Sequence, residues 1–185
     1  MSTSRWSVLG TLSAEPALTR PDLLGAPVAA ALKALDPADA AQIGVAEIDP
    51  ALADTAAFCE AYSSPLEGSA NCVVVSGKRS GEIRYAACLV LATTRADVNG
   101  FVRKYLDVRK ASFAPMEDAC ERTGMEYGGI TPIGLPEGWP ILVDAAVVAS
   151  PEVVIGSGIR GSKLALPGSV VARLPGVEVV EGLAR

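Results

Sequence analysis

Apolar residues follow two rhythms along this chain. In ALADTAAFCEAY, residues 51–62, Leu52, Ala56, Cys59 and Tyr62 recur at three- and four-residue steps, the spacing of a helix that buries one face. Val98, Phe101, Val102 and Tyr105 repeat it in TTRADVNGFVRKYL, which opens on a Thr cap and a nearby Asp. Between these stretches the rhythm shortens. NCVVVSG and EIRYAACLVLA are β-branched, apolar runs joined by KRSG, a pattern that predicts a β-hairpin. KASFA reads as a further strand, and PMEDACERTG as a helix stopped by Gly124. Downstream, PILVDAAVVA, EVVIGSG, KLALP and VEVVEG read as strands, with a short helix in SVVARL.

The first 26 residues carry scattered Pro, Gly and Ser and weak periodicity, so they read as a loose arm with a short strand at RWSVLGTL. PVAAALKAL then predicts a helix begun by Pro27. Asp36-Pro37 and Asp49-Pro50 combine a capping oxygen with a residue suited to the first helical position, so each predicts a helix start. Helices come first, and strands interleaved with helices come after them. There is no regular βαβ alternation and no Gly-rich phosphate loop after the first strand. The expectation is a mixed α/β fold with a sheet partly closed on itself.

Composition narrows the function. With 185 residues, half of them apolar, the chain can bury the core of one domain. It has no apolar run long enough for a membrane span. MSTSRWSVLGTLSAEP lacks the basic start and apolar centre of a signal peptide, so a cytoplasmic location is expected. The four cysteines form no C-x-x-C pair and sit in apolar runs, which predicts buried reduced thiols and no metal site. Histidine is absent. That excludes Ser-His-Asp and Cys-His mechanisms and leaves carboxylates, lysine, backbone dipoles or a group on the substrate. The net charge of -5 argues against general nucleic-acid coating, although a local basic patch could hold one end of an RNA.

Four stretches could carry chemistry. EYGGITPIGLP holds Gly128 and Gly129, where a ligand could approach bare amides, and Pro132 and Pro136 stiffen the rest of the loop. Such a loop could cradle a carbonyl, or it could be a tight crossover between helix and sheet. GSGIRGSK offers Ser157, Arg160 and Lys163 to a phosphate or carboxylate, without Walker A spacing; the plainer reading is a bulged hairpin. RKYLDVRKASF concentrates Arg103, Lys104, Arg109 and Lys110 in an acidic chain, as a solvated face or as a contact to RNA phosphates. Asp144 stands alone in ILVDAAVV and must be paired or hydrogen-bonded, either as a pocket acid or with Arg160 or backbone amides.

Taken together, EYGGITPIGLP, the strand with Asp144 and GSGIRGSKLAL resemble the YbaK-type aminoacyl-tRNA editing domains, free-standing relatives of the editing domain of prolyl-tRNA synthetases. The family loop maps onto Gly128, Gly129, Ile130, Thr131, Pro132, Ile133 and Gly134, and the later turn onto Gly156, Ser157, Gly158, Ile159, Arg160 and Gly161. The likeness runs over about residues 50–183. It divides the chain into an arm and helix, 1–45, and an editing domain, 46–185.

The resemblance implies an α+β fold with a curved, mostly antiparallel, partly barrel-like sheet and flanking helices. It implies a trans-acting deacylase that hydrolyses the ester of a tRNA mischarged with a small amino acid. No cofactor, membrane or DNA is implied. The partner is the 3′ acceptor end of an aminoacyl-tRNA, with a tRNA synthetase as a further partner that the likeness allows. Asn71, Gly129 and Lys110 are the expected catalytic residues, and Gly128, Thr131, Pro132, Asp144, Ser157, Gly158, Arg160 and Lys163 the expected substrate contacts. A ribose hydroxyl of the tRNA would help position water. One departure matters: the family opens its central strand with Lys-Thr-Leu-Val, and this chain has Asn71, Cys72, Val73 and Val74. Lys110 or Lys163 would then reach the same space, the substrate would differ, or the domain would bind without hydrolysing. A tRNA-independent esterase or amidase is a weaker alternative.

Overall fold

The computed structural model of the chain describes residues 6–185. Its elements alternate in an order that no simple repeat generates. Strand β1 (Glu15–Pro16) precedes helices α1 (Ala26–Ala34) and α2 (Pro37–Ala40), then β2 (Gly44–Glu47) and α3 (Thr55–Tyr62). The long hairpin β3 (Ala70–Arg79) and β4 (Glu82–Leu91) comes next, then α4 (Arg103–Tyr105), β5 (Ala111–Phe113) and α5 (Met116–Thr123). The last third holds β6 (Ile141–Asp144), α6 (Ala145–Val148), β7 (Val153–Gly156), β8 (Ser162–Leu166), α7 (Gly168–Val171) and β9 (Val177–Val180).

These strands form two sheets, ordered β1-β2-β8-β7 and β5-β3-β4-β6-β9. All pairs are antiparallel except β4 with β6 and β6 with β9. A parallel bridge between Ser69 and Val154 joins the sheets at one seam, and the described strands do not close into a barrel.

The hairpin turns at Ser80 and Gly81, both with positive φ (51° and 81°), as a two-residue turn matched to strand twist requires. The near-continuous apolar run of β4 has a simple cause. Ala87 and Leu89 face the main core beside Val28 and Leu32 of α1. Ala86, Cys88 and Val90 face a second cluster with Val102, Leu106 and Leu183. With both faces of the sheet covered, period-two alternation of polarity disappears.

Three local expectations change. The N-terminal arm is not loose from Trp6 onward: β1 pairs with β2, and Ala17, Leu23 and Leu24 enter the main core. Ser7–Leu9 is a 3-10 turn, not a strand; Arg5 lies outside the described residues. The run PILVDAAVVA is strand only to Asp144, because the Asp144 carboxylate accepts from the Ala146 N–H at 3.1 Å and starts α6. Finally, the segment after Asp97 begins not on a Thr cap but on the Asp97 carboxylate, which accepts from the Gly100 and Phe101 amides. No helix of the described residues is long and apolar enough to cross a membrane.

Candidate functional site

Where the sheets meet, a cavity of about 560 Å³ opens to the surface, a volume typical of small-molecule sites. Strand β3 supplies Ala70–Val74, β7 supplies Val154–Gly156, α3 supplies Thr55 and Phe58, and the 127–130 loop supplies Tyr127, Gly128 and Ile130. Most of this wall is apolar. Helix α5 closes one side with Met116 and Ala119. It is tied to the sheet by the Tyr85 hydroxyl, which donates to Asp118 at 2.6 Å, and Arg122 lies over the Tyr85 ring at 4.7 Å.

The polar groups collect in one corner. Thr55 Oγ1 donates to Asn71 Oδ1 at 2.8 Å, which fixes the Asn71 amide and leaves its NH₂ donors without a partner among the described residues. Lys163 lines the same cavity. It is only 8% exposed, its Nζ donates to the Ala53 carbonyl at 2.7 Å, and it lies 5.6 Å from the Phe58 ring centroid. Burial, assisted by the nearby Arg160 charge, pushes the Lys163 ammonium down to about 8, against a smaller opposing effect of Asp54. An ammonium has three N–H donors, so two remain for a ligand. Helix α3 begins here with no side-chain cap on its first amides, which adds positive potential to the same corner. Burial drives the Cys72 thiol well above its ordinary range, so this wall residue stays neutral.

The glycine motifs do something else. Gly129 N–H donates to the Glu126 carbonyl at 2.9 Å, and the Gly129 carbonyl accepts from Gly158 N–H at 2.7 Å. Glu126 N–H in turn donates to the Gly158 carbonyl at 3.0 Å. A Cβ on Gly129 would lie 2.7 Å from the Ile159 backbone, and one on Gly156 would lie 2.6 Å from the Gly129 carbonyl oxygen. The two loops are thus zipped backbone to backbone, and glycine is required for the close approach. Gly128 borders the cavity with φ +84°; Gly129 does not. Exposed amides on a bare loop were expected to grip the acyl group, and at Gly129 that expectation fails because the amide is already bonded within the fold.

The remaining expected residues divide by position. Asn71, Gly128 and Lys163 lie on the wall. Arg160 braces the rim: its guanidinium donates to the Tyr127 and Pro50 carbonyls at 3.1 and 3.2 Å. Thr131, Pro132, Ser157 and Gly158 lie behind the wall, buried. The Ser157 hydroxyl accepts from Ser162 Oγ at 2.7 Å, whereas Thr131 Oγ1 is buried without a partner among the described residues. Asp144 neither reaches the cavity nor pairs with Arg160; its second oxygen accepts from the Ala184 N–H at 3.1 Å, so it is a helix cap that also holds the C-terminal segment. Lys110 is exposed just before β5, where the Gly77–Ala111 register places it opposite Lys78. That is roughly 20 Å along β3 from Asn71, at about 3.3 Å per residue. Thr55, Phe58 and Met116 line the cavity without any motif to mark them, and Phe113 and Tyr127 line it from within RKYLDVRKASF and EYGGITPIGLP.

The aminoacyl-tRNA editing domain family model matches residues 49–174, and the chain belongs to that family. Solved structures agree on the fold. A candidate trans-editing enzyme for prolyl tRNA synthetase superposes with TM-score 0.69 at 20% identity, covering 84% of this chain and 93% of that one. A protein from work on epitope backbone grafting onto scaffold proteins gives TM-score 0.70 at 18% identity, covering 85% and 95%. The hypothetical protein APE2540 gives 0.68 at 16%, covering 80% and 95%. No curated protein matches the sequence.

Proposed function

We propose that this protein is a trans-acting deacylase that hydrolyses the ester joining a small amino acid to the 3′ end of a mischarged tRNA. The observation that carries the proposal is Lys163, a buried ammonium in the same cavity as Asn71, in an editing-family chain without histidine. Of the two lysines that would stand in for the family lysine absent at Asn71, Lys163 lines the same cavity as Asn71.

The acyl group enters between Phe58, Val74 and Ile155, and its ester carbonyl turns toward the Asn71 amide and the Lys163 ammonium. Water adds to the carbonyl carbon, the C–O bond to the ribose breaks, and the ribose oxygen takes up a proton. The products are a free amino acid and a tRNA with its hydroxyl restored. Lys163 in its charged form stabilises the developing oxyanion and can deliver that proton, a task suited to an acid titrating near neutral pH. No protein group acts as a strong base; a neighbouring ribose hydroxyl orients the water. The apolar walls set the size limit on the side chain, as the second sieve of an editing reaction does.

A panel of mischarged tRNAs tests this reading. Release of at least one small amino acid well above the buffer rate is expected, with no comparable release from a free aminoacyl ester. No turnover on any member would reject the enzyme. A large gain of activity in Asn71→Lys would instead favour a natural chain that binds without hydrolysing.

A further inference from the structure

The three most exposed large apolar side chains of the described residues are Phe113 (61%), Tyr127 (58%) and Met116 (53%), and all three also line the cavity. They come from three separate segments, β5, the glycine loop and the start of α5. Being both exposed and on the wall, they stand at its mouth. Exposed apolar surface gathered at one opening calls for a ligand. Close by, the chain entering β5 exposes Arg109 and Lys110, and neither makes an ion pair among the described residues. The contrast with Arg79 and Arg84, which both pair with Asp107, is direct. In a chain of net charge -5, unpaired cations leading to an aromatic rim are complementary to a polyanion that ends in a flat ring.

We propose that Phe113, Tyr127 and Met116 form a stacking site for the unpaired terminal base of an RNA 3′ end, and that Arg109 and Lys110 receive the phosphates preceding it. Every base has a π-face, so such a rim binds the end of any tRNA without reading its sequence. Strand β5 spans the short distance from the rim to the cations, about 10 Å from Phe113 to Lys110, so a strand anchored by its last base lays its backbone along this sheet edge. The proposal rests on the deacylase reading for the identity of the RNA, but its test needs no turnover.

The test is fluorescence anisotropy with a labelled, uncharged single strand ending in the terminal adenosine, beside the same strand with an abasic last nucleotide. Wild type should bind the complete strand about 5- to 100-fold more tightly, the range expected for one or two stacking contacts. Phe113→Ala combined with Tyr127→Ala should lose that advantage for the complete strand and leave the abasic strand unchanged, while Phe113→Trp retains it. These positions are exposed, so melting temperatures should hold within a few degrees. Lys110→Ala should weaken both strands equally and lower the salt slope by about 0.7 per lost phosphate contact. Equal affinity of wild type for the two strands overturns the proposal. So does unchanged RNA binding in the double variant, which would assign the rim to a protein partner. Loss of deacylation with base-dependent binding intact would reject the enzyme and keep the rim.

Discussion

Two walls of one cavity are built by opposite means. On one side, the 126–134 loop and the 156–161 turn lock together through main-chain groups, and Gly129 and Gly156 are glycine because the two backbones touch. On the other, Asn71 and Lys163 present side-chain donors, Asn71 held by the hydrogen bond it accepts from the Thr55 hydroxyl and Lys163 by the one it donates to the Ala53 carbonyl. The first wall contains the recognisable motif and almost no free chemistry. The second draws its residues from three segments, with Lys163 two residues past the turn and paired in register with Gly156, and holds the only buried cation of the described residues. The glycines of a signature can therefore build the frame of a site while the reacting groups are side chains beside them.

The sharpest way to break this contrast is Lys163→Ala. Deacylation should fall by about 10²- to 10³-fold, the cost of losing one preorganised donor to an oxyanion, with the fold retained by circular dichroism. In wild type, the rate enhancement over buffer should decline as pH rises through about 8, because the protonated ammonium is the active form. The same group makes stability rise with pH between about 8 and 10.5, since the unfolded chain holds the proton longer than the folded one. Thermal melts of Lys163→Met should lack that rise.

Gly129→Val attacks the other wall. It should cost about 3 kcal/mol of stability through overpacking against Ile159, a fall of roughly 6–12 °C in Tm for a chain of this size. Gly138→Ala is the control: it meets no atom within 4 Å and carries only the strain of its φ of +84°. If Gly129→Val melts like wild type, the interlock is not structural. Asn71→Ala should be milder, about tenfold in rate with little change in Tm, because Lys163 remains. The smallest effect on rate is expected for Asp144→Ala, which loses the helix cap and the anchor of the Ala184 N–H, about 2 kcal/mol together, with no change in rate beyond that stability loss. A hundredfold activity loss there would return Asp144 to the active site.

Several of these assignments could be read directly from residue order. The hairpin of β3 and β4, the stop of α5 at Gly124 and the starts at Asp36 and Asp49 are encoded by residues within a turn of one another. Local sterics and capping decide such features, so the sequence alone determined them. The family signature was equally visible, because glycines that permit backbone contact must appear as glycines.

Tertiary structure alone decided which polar residues share the cavity. Thr55, Asn71 and Lys163 come from α3, β3 and β8, and β3 and β8 belong to different sheets. The seam at Ser69 and Val154 and a shared hydrophobic core bring those sheets together. The same is true of Lys110 and Lys163, alike on paper as cations: register left one in solvent opposite Lys78 near the far end of β3, and burial placed the other against Ala53 and Phe58. Spacing along a chain fixes which face of an element a residue occupies, but the packing of distant elements fixes what that face meets.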